Sequence, residues 1–245
     1  GSRTNFYPLI KEIKGEIPIF ALDLLGFGDS SKPKDFLYSR TNLAESLAYF
    51  IENLAGGPVN LLGHSMGGEI SLFLARNDPQ IVNKLILVDS AAYSSSDSSI
   101  PGWVLYLRPL STPFIDIFLL NRPIMRYFLN RGFLTGDISQ ERSKSYIDSA
   151  LKTKARVILA LARDNEGGIK KEAIREIKIP TLIIWGEDDK AVPLEIGQRL
   201  NQDLPVSRLI VIPETAHLPF EEKPEVVSRE ILKFLEVLIN THNSR

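Results

Sequence analysis

Five short apolar runs constrain this chain most: IPIFALD ending at Asp23, PVNLLGH at His64, KLILVDS at Ser90, PTLIIWG at Gly186 and RLIVIPE at Glu214. Their apolar residues run almost continuously instead of alternating, the pattern of strands buried on both faces of a parallel sheet. Helix-period segments separate them: TNLAESLAYFIENL after the first run, MGGEISLFLARN after the second, PLEIGQRLNQDL after the fourth and PEVVSREILKFLEVLIN near the end. Strand and helix in alternation, joined by right-handed crossovers, wind into an open, mostly parallel, doubly wound α/β sheet. Its functional loops lie at the carboxyl ends of the strands.

The alternation breaks once. Ala91 to Lys178 far exceeds the roughly 2 to 6 residues of an ordinary connection. Its segments WVLYLRPL, FIDIFLLNRPIMRYFLN and SYIDSALKTKARVILALARDN have helical periodicity, interrupted at Pro101, Pro109, Pro113 and Pro123. The expectation is a helical cap, residues 92–178, inserted after the third visible strand and entered through the polar hinge SSSDSS. The core is then residues 1–91 and 179–245.

Charge and composition remove several function classes. The chain carries 29 basic residues against 30 acidic ones and no basic block, so it lacks the electrostatic footprint of nucleic-acid binding. With no cysteine, disulfides, thiolate metal sites and a cysteine nucleophile are excluded. No apolar run reaches the ~18 residues of a membrane span. A cytoplasmic location is the expectation, although the chain opens inside a helix-like segment, YPLIKEI, which leaves a preceding targeting segment open.

Gly63-His64-Ser65-Met66-Gly67 fits G-x-S-x-G at a strand end and a helix start, the setting of a nucleophile elbow. Glycines suit that turn because strand and helix backbones approach closely, and Gly68 extends the allowance. The Met66 backbone N–H, at the helix start, would face a developing oxyanion. A serine hydroxyl needs a base, and the base needs an orienting acid. Of the three histidines, His64 adjoins the serine and His242 sits in the tail. His217, in PETAHLPF after the fifth run, emerges at the same sheet edge as Ser65. For the acid, Glu187, Asp188 and Asp189 follow the fourth run and Asp89 ends the third; spacing alone does not separate them.

The motifs ALDLLGFGDSSKP, GHSMGG, LILVDS, WGEDDKAVP and IPETAHLPFEEKPE together resemble the alpha/beta-hydrolases with a serine nucleophile and a single helical cap, over essentially the whole chain. By that resemblance the acid is Asp189, Ser65 and Asp189 and His217 form a catalytic triad, and Val192 and Leu218 line the acyl pocket. Asp23, Gly26 and Gly28 belong to a structural family loop. The resemblance also implies a central strand between the IFALD and VNLLG strands, ending in a His-Gly loop with a second oxyanion-hole donor just beyond. This chain has neither, so the expectation is that N-terminal strands are missing from it.

The function expected is a serine hydrolase that cleaves a carboxylic ester of a hydrophobic small molecule, a carboxylesterase or small lipase, with no cofactor and no metal. Trp103, Tyr106, Phe114 and Phe118 in the cap favour an apolar acyl or aromatic group, with Trp103 in the substrate pocket. Two alternatives stay open: hydrolysis of a C–C bond in ring-fission diketones by the same triad, and a slow-turnover ligand sensor whose output is cap movement. Burst kinetics with very slow turnover would favour the sensor. Acyl and leaving-group specificity and the oligomeric state lie beyond the sequence.

Overall fold

Four parallel strands make one sheet: β1 (Val59–His64), β2 (Val82–Val88), β3 (Thr181–Gly186) and β4 (Ser207–Ile212), in the order β1-β2-β3-β4. This computed structural model describes residues 2–93, 122–132, 135, 138–164 and 168–236. Pairing of His64 with Val88, Val88 with Ile184, and Gly186 with Ile212 brings all four carboxyl ends to one edge. That alignment gathers the residues that follow each strand, and the candidate site lies there.

Alternation along the buried strands divides the core in two, because successive side chains point to opposite faces. Leu85, Leu87, Ile183 and Trp185 pack with α2 (Arg40–Phe50), α3 (Met66–Asn77) and α8 (Leu194–Asp203) through Leu43, Ile70, Leu74 and Leu200. Ile86, Val88, Leu182 and Ile184 pack instead with α1 (Tyr7–Ile13), α9 (Pro219–Glu222) and α10 (Pro224–Leu235) through Leu9, Phe220 and Ile231. Helices therefore cover both faces of the sheet, as the continuous apolar runs require.

Between β2 and β3 lie α4 (Arg122–Gly132), α5 (Gln140–Leu151), α6 (Ala155–Ala162) and α7 (Lys171–Glu176). They are not detached from the sheet: Val157, Leu161 and Ile174 join the same core cluster as α2 and α3. Arg142 of α5 bonds Glu221 of α9 at 2.6 Å, and Tyr146 donates to the same carboxylate at 2.9 Å. Trp103, Tyr106, Phe114 and Phe118 lie outside the described residues. Among those described, no helix is long and apolar enough to cross a membrane.

The first apolar run departs from expectation. Residues 18–24 form no strand, and the one pairing nearby is an isolated bridge between Lys14 and Ile17. A strand exists only through backbone hydrogen bonds to a neighbour, and among the described residues IPIFALD has no strand pairing beyond that one bridge at Ile17, so its strand-like composition has nothing to pair with. Phe20 is 60% exposed. An apolar cavity of about 610 Å³ lies between this segment and β1, lined by Ile19, Leu22, Leu61 and His64 among others. The central strand implied by the resemblance is not among the described residues.

Candidate active site

Ser65 sits between β1 and α3 with φ 53° and ψ −125°, a left-handed conformation that a non-glycine residue adopts only where its surroundings impose it. Its N–H donates to the Val88 carbonyl at 3.1 Å, and its own carbonyl accepts the N–H groups of Gly68 and Ala91. The crowding that needs glycine falls on Gly63 and Gly68. A Cβ on Gly63 would lie 2.5 Å from the Gly67 carbonyl oxygen, and one on Gly68 would overlap Ser90 Oγ. Gly67 departs from the expectation that both glycines flanking the serine lack room, since a Cβ there would meet nothing within 4 Å. α3 begins at Met66, so the Met66 N–H is among the amides with no intrahelical acceptor.

His217 and Asp189 meet across two loops. His217 Nδ1 lies 2.7 Å from Asp189 Oδ2, and both side chains are buried. Asp189 Oδ1 accepts the N–H groups of Ala191 at 2.8 Å and Val192 at 3.0 Å. The carboxylate thus faces the imidazole with its remaining oxygen. Glu187 and Asp188, which spacing left as rivals, are exposed. Asp89 is buried beside the pair, with Oδ1 accepting the Gly186 N–H at 2.8 Å.

Two further residues hold the histidine loop, and neither was assigned from sequence. His64 Nε2 lies 2.8 Å from the His217 carbonyl, which it meets as a donor, and its ring stacks edge-on to Phe220. Burial, with the neighbouring His217 second, pushes the His64 pKa well below the usual imidazole value. Glu222 accepts the Ala216 N–H at 2.8 Å and the Thr135 N–H at 2.7 Å. The acids of PFEEKPE were the visible signal, but only their contacts reveal the role. His242 lies outside the described residues.

His64, Asp89 and His217 bring ligand atoms within 4.8 Å of one another. Within this cluster His64 Nε2 meets the His217 carbonyl, His217 Nδ1 meets Asp189, and Asp89 Oδ1 accepts the Gly186 N–H.

Ser65, Met66, His217 and Leu218 line a cavity of about 300 Å³. The intervening helices close it with Met125 and Leu129 of α4, Tyr146 and Ile147 of α5, and Ile158 of α6. No Asp, Glu, Lys or Arg is among its described lining residues. Leu218 lies on this wall. Val192 does not line the cavity; it offers its backbone N–H to Asp189 and its carbonyl to Trp185 Nε1. Trp103 lies outside the described residues.

A parallel sheet with a serine at a strained strand-to-helix turn, lining one apolar pocket with the histidine of a buried His–Asp pair, has the layout of a hydrolase. The model of the alpha/beta hydrolase fold family matches residues 1–224, and the chain belongs to that family; it is a hydrolase of this superfamily. It is 33% identical over 247 residues to an uncharacterized hydrolase, YugF, of Bacillus subtilis, covering 96% of this chain and 86% of that one. A 2-hydroxy-6-oxo-6-(2'-aminophenyl)hexa-2,4-dienoic acid hydrolase of Metapseudomonas resinovorans is 28% identical, covering 96% and 79%. Lipase 1 of Psychrobacter immobilis is 29% identical, covering 97% and 74%.

Proposed function

We propose that the protein is a serine hydrolase that cleaves a carboxylic ester of a hydrophobic small molecule through an acyl-enzyme. The observation that carries this reading is the buried His217–Asp189 pair, whose histidine lines the same cavity as Ser65. With Nδ1–H donated to Asp189, His217 keeps Nε2 as an acceptor toward the cavity and can take the Ser65 proton as the hydroxyl attacks the ester carbonyl. The Met66 N–H, backed by the positive end of α3, stabilises the oxyanion. His217 then returns the proton to the leaving alcohol, and water repeats the sequence in reverse to release the acid. The helices between β2 and β3 wall the cavity in which both steps take place, through Met125, Leu129, Tyr146, Ile147 and Ile158.

The pocket supports an uncharged substrate. Its volume of about 300 Å³ is at the small end of the ~300–1,000 Å³ range of ligand sites, which favours short or compact acyl groups. Lipase 1 supports ester chemistry. The dienoic acid hydrolase supports a second reading, cleavage of a C–C bond with the same triad. The absence of a cationic side chain among the described lining residues disfavours an anionic dienoate, because an unpaired carboxylate is costly to bury.

A series of p-nitrophenyl esters and a ring-fission diketone, assayed with the protein and with Ser65→Ala, tests the proposal. Turnover of the esters that disappears in Ser65→Ala is expected. Ester turnover that persists in Ser65→Ala overturns the serine mechanism, and diketone cleavage without ester cleavage overturns the substrate class.

A further inference from the structure

Asp89 stands directly after β2 with φ 42° and no exposed surface. Its Oδ1 accepts the Gly186 N–H, while Oδ2 is buried without a hydrogen-bond partner. The groups that face it are His64 from the end of β1, Asp189 from the loop after β3, and His217 and Glu222 from the segment after β4. An Asp89 carboxyl oxygen lies within 4.8 Å of a ring nitrogen of each histidine, and Gly186 ties the two acids together, its N–H donating to Asp89 Oδ1 at 2.8 Å and its carbonyl accepting the Asp189 N–H at 3.3 Å.

Two carboxyl groups this close in a dry interior do not both ionise. Asp189 is the better place for the charge, since it accepts two amide N–H groups and pairs with the imidazole. Asp89 accepts a single N–H. The shared proton therefore belongs on Asp89, and Oδ2 is the oxygen with room to carry it. Burial first, and then the Asp189 charge, push the Asp89 pKa well above the carboxylate range.

We propose that Asp89 is the protonated partner of Asp189: a positioning residue that donates a hydrogen bond from Oδ2 to the Asp189 carboxylate, and that takes over the pairing with His217 when Asp189 cannot ionise. The proposal rests on the serine-hydrolase reading above. It differs from the family's single-acid triad in giving a second buried acid a share of the same task.

The test is a double-mutant comparison of Asp189→Asn, Asp89→Asn and the double variant, with kcat and KM for an ester measured from pH 5 to 9. The amide in Asp189→Asn keeps the acceptor for Ala191 and Val192. Asp89 should ionise in that variant and pair with His217, so kcat falls by about 10- to 100-fold instead of the ~10⁴-fold that neutralising a triad acid costs. The double variant should show the larger loss at unchanged KM, and should lack the rise of activity with pH that Asp89 ionisation gives Asp189→Asn. Equal losses in Asp189→Asn and the double variant overturn the proposal.

Thermal unfolding supplies a readout independent of catalysis. A carboxyl whose folded pKa is raised contributes stability that is full below its unfolded pKa and is lost as pH rises toward the folded one. The Tm of Asp89→Asn relative to wild type should therefore increase from pH 4 to pH 7, and a constant difference shows that Asp89 is not protonated. Wild-type protein with no esterase activity would remove the serine-hydrolase reading, while this pH dependence still decides the proton's position.

Discussion

His217 Nδ1 lies 2.7 Å from Asp189 Oδ2, while 2.8 Å from His64 Nε2 lies the carbonyl oxygen of the same His217. The candidate base is thus fixed through its ring on one side and its backbone on the other. His217 itself lines the cavity that Ser65 also lines, and a general base needs such a fixed orientation more than it needs a particular position in sequence.

Ser65→Ala and His217→Ala should each lower kcat by about 10⁶-fold, the scale of loss when a triad member that acts as a unit is removed. Neither should unfold the protein. Circular dichroism with steady-state ester kinetics checks both, and a folded variant within tenfold of wild type contradicts the assignment.

Gly63→Ala should destabilise, because its Cβ would press on the Gly67 carbonyl, a backbone atom that cannot rotate away. Overpacking of this kind costs about 1–3 kcal/mol. Gly67→Ala should be neutral or slightly stabilising, since the Cβ there meets open space and alanine favours a helix. Urea unfolding of the two variants separates them, and a reversed order contradicts the elbow geometry.

His64 should make the protein sensitive to mild acid. Its folded pKa is depressed by burial and by His217, so the native state resists a proton that the unfolded state takes up. The stability involved is full above the unfolded value near 6.5 and is lost as pH falls below it toward the folded pKa. His64→Gln keeps a donor for the His217 carbonyl and does not titrate. Its Tm should fall less than that of wild type between pH 7 and pH 5; equal falls contradict the claim.

Glu222→Ala should release the Ala216 N–H and loosen the histidine loop. The expected result is a kcat loss of about 10- to 100-fold, the scale attached to ~1 Å misplacement of a catalytic group, with KM nearly unchanged. A KM effect without a kcat effect would place Glu222 in substrate binding instead.

The sequence shows the strands and helices wherever burial makes the pattern. β2 and β3 are continuous apolar runs because both faces pack against helices, and the segments that cover them keep a helical period. IPIFALD has the same composition and forms no strand, because pairing is a property of the neighbour and not of the run. The serine turn is legible because its backbone strain selects glycine nearby, although Gly68 carries a constraint that the pentapeptide assigns to Gly67. Asp89 could be recognised from sequence as a rival acid. The register of β2 against β3 sets it at the edge where the Asp189 loop begins, with its Oδ1 accepting the Gly186 N–H. His64 and Glu222 act through contacts that no local pattern encodes.

The most direct test of the central claim is intact mass after labelling with a fluorophosphonate probe, comparing the protein with Ser65→Ala. The account predicts one adduct per chain that is abolished in the variant. A folded wild-type protein without the adduct, or an adduct that survives in Ser65→Ala, would contradict it.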